Sequence, residues 1–429
     1  MPESPSPKMP WGRTFLLGFG FFGISLLWPL YDSFVPLFLR NFGLSNRVVG
    51  LGMTIDNYVN MFIQPWAGTR SDRTWNRFGR RFPFIIAAAP LAALGMFAMP
   101  FAADRSLMLL FAAMFLFTLS MAFFRTPTVA LLGDMFPDTL RSKANGIINF
   151  MGVFAGVLAF VLGGILFDMA SWYPFVAFPI AMLLILAILV TRIREPEVPY
   201  GGNEPSPGLR ETFRSLWNDS DRNALIILLA LLLWSVGITA VQAFWTLFGV
   251  NELGLAEGAA SQLLSFYPLA GLLSAIPGGY LGAAIGRRNT IIIMLAIVAA
   301  LLGVIFWIPA EMLSGAGAFT LMAPNTWFAT RGIQLIILLL LGVGGAMTIV
   351  TVNILPLLFH NAPDGQIGGF TGLYYVAGSI ASILGPPLGG TLADLTGSYR
   401  SILLFAPFWV ILGLIVMLFV REQRPPVAA

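Results

Sequence analysis

The sequence predicts an all-α membrane protein whose twelve transmembrane helices form two six-helix, pseudo-symmetric bundles. Three observations predict it. Only 10% of the 429 residues are charged and 57% are hydrophobic, whereas a soluble chain of this length carries about a quarter charged residues. Apolar runs of spanning length recur along the whole chain. The second half also repeats the pattern of the first.

Crossing a hydrocarbon core takes roughly 20 apolar residues, and only a helix satisfies its own backbone there. Suitable runs fall at about 14–40, 47–68, 83–102, 106–133, 145–167 and 171–192. After a break they resume at about 223–249, 258–281, 289–310, 332–358, 369–393 and 398–420. The first is too long for the core of a signal peptide and no small-residue cleavage site ends it, so it reads as a span. Twelve crossings place both termini on one side. Nineteen of the 24 lysines and arginines fall on that side, and five (Arg40, Arg47, Arg105, Arg331 and Arg400) fall opposite. The positive-inside rule makes the termini cytoplasmic, in a plasma (inner) membrane. The basic balance, a net charge of +4, therefore reflects topology and predicts no nucleic-acid partner.

Other classes are excluded by what is missing. The chain has no cysteine, hence no disulfide or thiolate metal site, and its single histidine, His360, cannot build a multi-histidine cluster. No arrangement of nucleophile, base or metal ligands suggests an enzyme or a bound cofactor.

Residues 1–195 and 222–429 form the two predicted bundles, joined by a polar, Pro- and Gly-rich cytoplasmic linker over 196–221. Leu209, Phe213 and Leu216 recur there at helical spacing and suggest a short helix at the interface. A shift of 226 residues aligns Gly146 with Gly372, Gly152 with Gly378, Ala155 with Ala381, Gly163–Gly164 with Gly389–Gly390, and Asp168 with Asp394. Earlier in each half, QPWAG then FGRR (Gln64–Gly68, Phe78–Arg81) corresponds to IPGGY then IGRR (Ile276–Tyr280, Ile285–Arg288). Parallel repeats of this kind are a known transporter plan, with a substrate site at midplane. Small residues every fourth position (Ser274, Gly278, Gly282 and Gly286; Gly152 and Gly156) allow close helix approach.

Ionisable and amide side chains inside spans are costly and mark candidate sites. The first span carries Asp32, with Trp28 and Tyr31 on nearly the same face. The second runs the other way and carries Asp56, Asn60 and Gln64 on one face, with Asn57 adjacent. Asp32 and Asp56 fall at similar depth. Two carboxylates held out of water favour a bound proton, which makes them candidates for proton coupling; either one is also a candidate hydrogen-bonding strut. Arg125, two turns inside the fourth span, either contacts substrate hydroxyls, neutralises an acid, or snorkels to the surface. In the second half Gln242, Trp245, Asn353, Tyr374 and Tyr375 are candidate substrate contacts. Aromatic planes for sugar C–H faces beside amides for hydroxyls suit a neutral sugar or glycoside.

The segment Gly68–Arg81, GTRSDRTWNRFGRR, joins the second and third spans. It resembles the G-x-x-x-D-R-x-G-R-R signature of the major facilitator superfamily, with a few residues inserted. In that superfamily the loop latches the halves in one state, which assigns Gly68, Asp72, Arg73, Gly79, Arg80 and Arg81 to a conformational latch. The second copy, Gly279–Arg288, has Ala283 where the first has Asp72. The inserted form, IQPWAGTRSDRTWNRFGRRFPFI from Ile63 to Ile85, together with ALLGD at Ala130–Asp134, is similar to the sucrose/proton symporter branch of the glycoside–pentoside–hexuronide cation symporters. The resemblance implies a proton-coupled sugar or glycoside symporter of the major facilitator fold. Anchored on ALLGD, the branch's sugar-contacting arginine falls on Val129, one turn beyond Arg125, and an acidic residue falls near Thr118. Anchored on Pro65, the two acids of melibiose-type permeases fall on Asn60 and Gln64, so their sodium site is not reproduced.

The expectation is a monomeric secondary active importer working by alternating access, its coupling ion H+ and its partners a small neutral sugar and the lipid bilayer. A drug or metabolite/proton antiporter of the same fold is the alternative. A non-transporting receptor or scaffold is the alternative from another class.

Overall fold

The computed structural model describes residues 9–195, 222–309, 319–327, 330–360 and 367–421, with positions 213, 214, 216, 217 and 312 between them. Fifteen named helices are described: α1 (Trp11–Asn41), α2 (Asn46–Met53), α3 (Ile55–Asp72), α4 (Phe82–Ala103), α5 (Leu107–Met135), α6 (Asp138–Met169), α7 (Tyr173–Arg192), α8 (Asn223–Leu253), α9 (Glu257–Leu264), α10 (Phe266–Ile285), α11 (Arg287–Trp307), α12 (Pro324–Trp327), α13 (Arg331–His360), α14 (Ile367–Thr396) and α15 (Arg400–Met417). Among the described residues no strand forms, only an isolated bridge between Asn76 and Gly79.

Among the described residues, eleven segments are long and apolar enough to cross a membrane, α9 and α10 counting as one. The protein is a multi-pass integral membrane protein. The twelfth crossing is α2 with α3, and it falls short for a physical reason. A helical break at Thr54 leaves α3 only 18 residues, among them Asp56, Asn57, Asn60, Gln64, Arg70 and Asp72. A lipid-facing helix does not carry such a set. The same interruption recurs at Ser265 between α9 and α10. In both, the hydroxyl at the break takes up a carbonyl of the preceding turn: Thr54 Oγ1 donates to Leu51 O at 2.8 Å and Ser265 Oγ to Gln262 O at 2.6 Å. Several helices outrun their apolar cores. α6 begins at Asp138, seven residues before the predicted span, its first turns carrying Arg141 and Lys143. Of the predicted linker helix, Phe213 and Leu216 are helical, Leu216 being buried; Leu209 lies outside the described residues.

The chain divides into two compact units, Met1–Tyr31 with Tyr58–Asn203, and Asp32–Asn57 with Glu204–Ala429. In the first, α4 packs along α5 and α7, with Ile85, Ala89, Met96, Leu110, Met114 and Phe117 fully buried. In the second, α8 packs against α14 and α15, and α13 against α10 and α11. Asn353 of α13 lies over Gly282, its amide donating to Gly278 O and Ile349 O at 2.9 Å. The stripe of small residues in α10 thus admits a polar side chain between two helices.

The short α2 is seated in the second unit, on α14. The backbone N–H groups of Asn46 and Arg47 donate to the two oxygens of Asp394 at 2.8 Å each, and Tyr399 Oη donates to Asn46 Oδ1 at 2.7 Å. A carboxylate at the positive end of a helix supplies acceptors to groups that have none within the helix. The approach is close enough that Gly390 has no room for a side chain: a Cβ there would lie 2.3 Å from Asn46 O.

Candidate functional site

Two polar clusters stand out, one within the spans and one at the α3–α4 loop. In the first unit, Trp28 and Tyr31 of α1 form an aromatic group with Phe117 of α5. Trp28 meets Tyr31 edge-on at 5.9 Å and Phe117 at 5.4 Å, and Tyr31 stacks on Phe117 at 5.5 Å. The Trp28 indole nitrogen is buried without a hydrogen-bond partner, and so is the amide oxygen of Asn60. A buried polar atom left unpaired costs about 1–3 kcal/mol; such groups are retained where a ligand or water supplies the missing bond. Asn60 and Gln64 share a face of α3, four residues apart. Arg125 is exposed on α5.

In the second unit, Asp32 is exposed on α1 and the next residue, Ser33, is buried. Asn57 donates from Nδ2 to Asp56 Oδ1 at 2.8 Å. The structure therefore brings Asp56 and Asn57 together. Gln242 and Tyr375 are exposed on α8 and α14, and Tyr374 meets Tyr375 edge-on at 5.3 Å. Trp245 is placed differently: it is buried, with its indole N–H donating to Ala260 O at 3.0 Å. Trp245 and Asn353 are committed to helix packing, whereas Trp28 and Asn60 hold unpaired polar atoms and Arg125, Gln242 and Tyr375 are exposed.

The loop cluster lies entirely in the first unit. Arg80 donates from Nε to Asp134 Oδ2 at 3.1 Å and pairs closely with Oδ1 through its terminal nitrogen; Arg81 donates from Nε to the same Oδ2 at 2.9 Å. Arg81 also pairs with Asp72 and donates to Ser71 Oγ. Glu195 completes the arrangement by accepting the backbone N–H groups of Arg80, Arg81 and Phe82, each at 2.8 Å, at the start of α4. Gly79 is required twice over. Its φ is +103°, and a Cβ would lie 2.5–2.8 Å from the Glu195 carboxyl atoms. Gly68 lies within α3 near Thr126, and Arg73 is exposed. Asp134, Glu195 and Asp394 were not singled out as site residues by the sequence. Asp134 stood in the ALLGD motif and Asp394 in the internal repeat, but Glu195 carried no signal beyond its acidity at the edge of the linker. Among the described residues no group of His, Asp and Glu is arranged to hold a metal ion.

Comparison with known proteins agrees with this architecture. Residues 14–323 match the family model of the Major Facilitator Superfamily. The sucrose transport protein SUT1 of Oryza sativa subsp. japonica is 23% identical over 231 residues, 46% of this chain and 43% of that protein. Human solute carrier family 45 member 3 is 25% identical over 210 residues, 44% of this chain and 37% of that protein. Multidrug resistance protein 1 of Bacillus subtilis is 24% identical over 257 residues, 60% of this chain and 62% of that protein. The chain thus spans less than half the length of its sucrose-transporter and solute-carrier relatives. In fold it resembles a bacterial homologue of the human lysosomal transporter Spinster in an inward-facing, occupied conformation, with a TM-score of 0.73 at 12% identity over 96% of this chain and 97% of that one. A mutant of the nucleoside transporter NupG matches with a TM-score of 0.74 at 12% identity, covering 96% and 100%. Its twelve-crossing helical fold and the family match over most of its length place the chain in the major facilitator superfamily, a family of transporters and not of enzymes.

Proposed function

We propose that this transporter imports a neutral sugar or glycoside by proton symport, working as a monomer through alternating access in a plasma membrane with both termini cytoplasmic. The observation that carries the reading lies in the first unit, where a buried Trp28 N–H of α1 and a buried Asn60 carbonyl of α3 have no partner. A site built to hydrogen-bond hydroxyls rejects analogues that lack them, because its own groups then stay unpaired. The sucrose-transporter relatives support the same substrate class. In the mechanism that follows, protonation of the Asp32–Asp56 pair removes the cost of a charge in the span and permits the loaded transporter to reorient; release on the other side resets it. In the first unit Trp28 and Tyr31 offer ring faces, and Asn60, Gln64 and Arg125 offer polar partners, to the sugar. Asp72, Arg80 and Arg81 act as the latch of one state.

Uptake into proteoliposomes across a panel of glycosides, with and without a proton gradient, tests the reading. Asp32→Asn or Asp56→Asn should abolish accumulation while sparing counterflow exchange. If both variants concentrate substrate like the parent, neither couples protons. A second reading is favoured by the Bacillus multidrug relative, which covers more of this chain than the sucrose transporters do. Binding of lipophilic cations with no response to any sugar would select it.

A further inference from the structure

An apolar groove of about 530 Å³ runs along α3, α4 and α5 in the first unit, and no part of the transport reading uses it. Phe84, Ala87 and Leu91 of α4 and Phe123 of α5 line its length, while Arg70 and Thr74 close one end. The lining of α4 from Phe84 to Leu91 spans about 10 Å of helix rise, enough for the upper half of an acyl chain. α4 and α5 are both membrane spans, so the groove opens where lipid tails are. Leu91 is 48% exposed, an apolar surface that only lipid covers. Arg70 is exposed, and among the described residues its guanidinium makes no hydrogen bond or ion pair. It thus contrasts with Arg80 and Arg81 a few residues on, which Asp134 and Asp72 neutralise. An unneutralised cation at the mouth of an apolar groove is complementary to one molecule in a bilayer, a phospholipid with an anionic headgroup.

We propose that this groove is a binding site for an anionic phospholipid of the leaflet on the side of the termini. Arg70 holds the headgroup phosphate through charge-assisted hydrogen bonds, the Thr74 hydroxyl lies beside it, and one acyl chain fills the groove between α4 and α5. The positive-inside count makes that leaflet the cytoplasmic one, where anionic lipid attracts basic side chains by about 1 kcal/mol each.

Lipid binding to the purified protein in mild detergent tests this, with native mass spectrometry counting retained phosphatidylglycerol and phosphatidylcholine. The parent should retain phosphatidylglycerol in preference. Arg70→Gln should weaken that binding roughly five-fold, the loss of one such cation, and leave phosphatidylcholine unchanged. Ala87→Trp, which fills the groove, should displace both lipids, and Arg105→Gln on the opposite side should change neither. Equal retention of the two lipids by the parent would overturn the proposal, as would an Arg70→Gln variant that binds like the parent. Competition by inorganic phosphate as effective as that by phosphatidylglycerol would also overturn it, since the tail would then contribute nothing. Should Ala87→Trp fail to fold, Arg70→Gln, at an exposed position, decides the matter alone.

Discussion

Replacing Asp134 by Asn should destabilise the protein far more than replacing Asp72, although only Asp72 belongs to the loop signature. Asp134 accepts from both Arg80 and Arg81, and the Arg81 and Asp134 side chains are 5% and 6% exposed. Removing one partner of a buried ion pair costs about 3–5 kcal/mol, because the remaining charge stays out of water. Asn is isosteric and keeps an acceptor, so the lower end, about 3 kcal/mol, applies. Asp72 is 53% exposed, and a pair screened by solvent contributes at most about 1 kcal/mol. Thermal unfolding in detergent, with limited proteolysis of the α3–α4 loop, reads both variants. Adding Arg80→Gln to Asp134→Asn should recover part of the loss, because it removes one of the two stranded cations. If Asp72→Asn is as harmful as Asp134→Asn, or if Asp134→Asn falls within about 1 kcal/mol of the parent, the buried network is not what holds the loop.

Other substitutions separate roles that resemble each other on paper. Gly79→Ala should cost about 1–2 kcal/mol for its left-handed φ and more from the clash with Glu195, read as lowered thermal stability; a neutral result would mean that the loop relaxes freely. Asp394→Ala removes the acceptor of two α2 amides, a loss of about 1–2 kcal/mol for a helix cap. Hydrogen exchange over residues 46–53 should quicken by roughly 5- to 30-fold, and unchanged protection would refute the seat. Asn60→Ala should leave stability unchanged or raised, since its orphaned oxygen is removed, while substrate affinity measured by calorimetry falls by about 1–3 kcal/mol. A loss of stability would instead make Asn60 a strut between helices.

The spans were legible because their signal is local. Twenty apolar residues in a row specify a crossing whatever they touch, and eleven such segments appear where the runs lie. The break at Thr54 was hidden because apolar residues continue through it on both sides. The partners of Asp394 lie 348 and 347 positions away, and those of Glu195 lie 113 to 115 away. No spacing rule reaches so far. Trp245 and Asn353 have the chemistry of sugar contacts, yet Ala260 and Gly278 carbonyls take their donors. Whether a polar side chain serves a ligand or a neighbouring helix depends on which carbonyl the packing brings near it, and the sequence does not encode that in any single segment.

The two interrupted helices connect these observations. Thr54 and Ser265 stand 211 residues apart, within one residue of the offset that aligns Gln64 with Ile276, so the break belongs to the repeated unit and not to one half. In each case a short helix of eight residues precedes the break, and its hydroxyl cap spares the interruption a buried, unpaired carbonyl. Discontinuous spans in transporters occur where the chain lines a cavity or must bend. In α2 and α3 the break has a further correlate: the compact units divide at Asn57–Tyr58, three residues past Thr54. The short helix belongs to the unit of α14, which seats it through Asp394, while most of α3 belongs to the other. Asp56, one of the two candidate proton carriers, lies between break and boundary. On the proposed reading, a proton bound at Asp56 would change the charge within two residues of the break. If that reading holds, Thr54→Ala, which removes the hydroxyl cap, should lower the rate of transport in proteoliposomes more than it lowers substrate affinity; an equal loss of both would refute it.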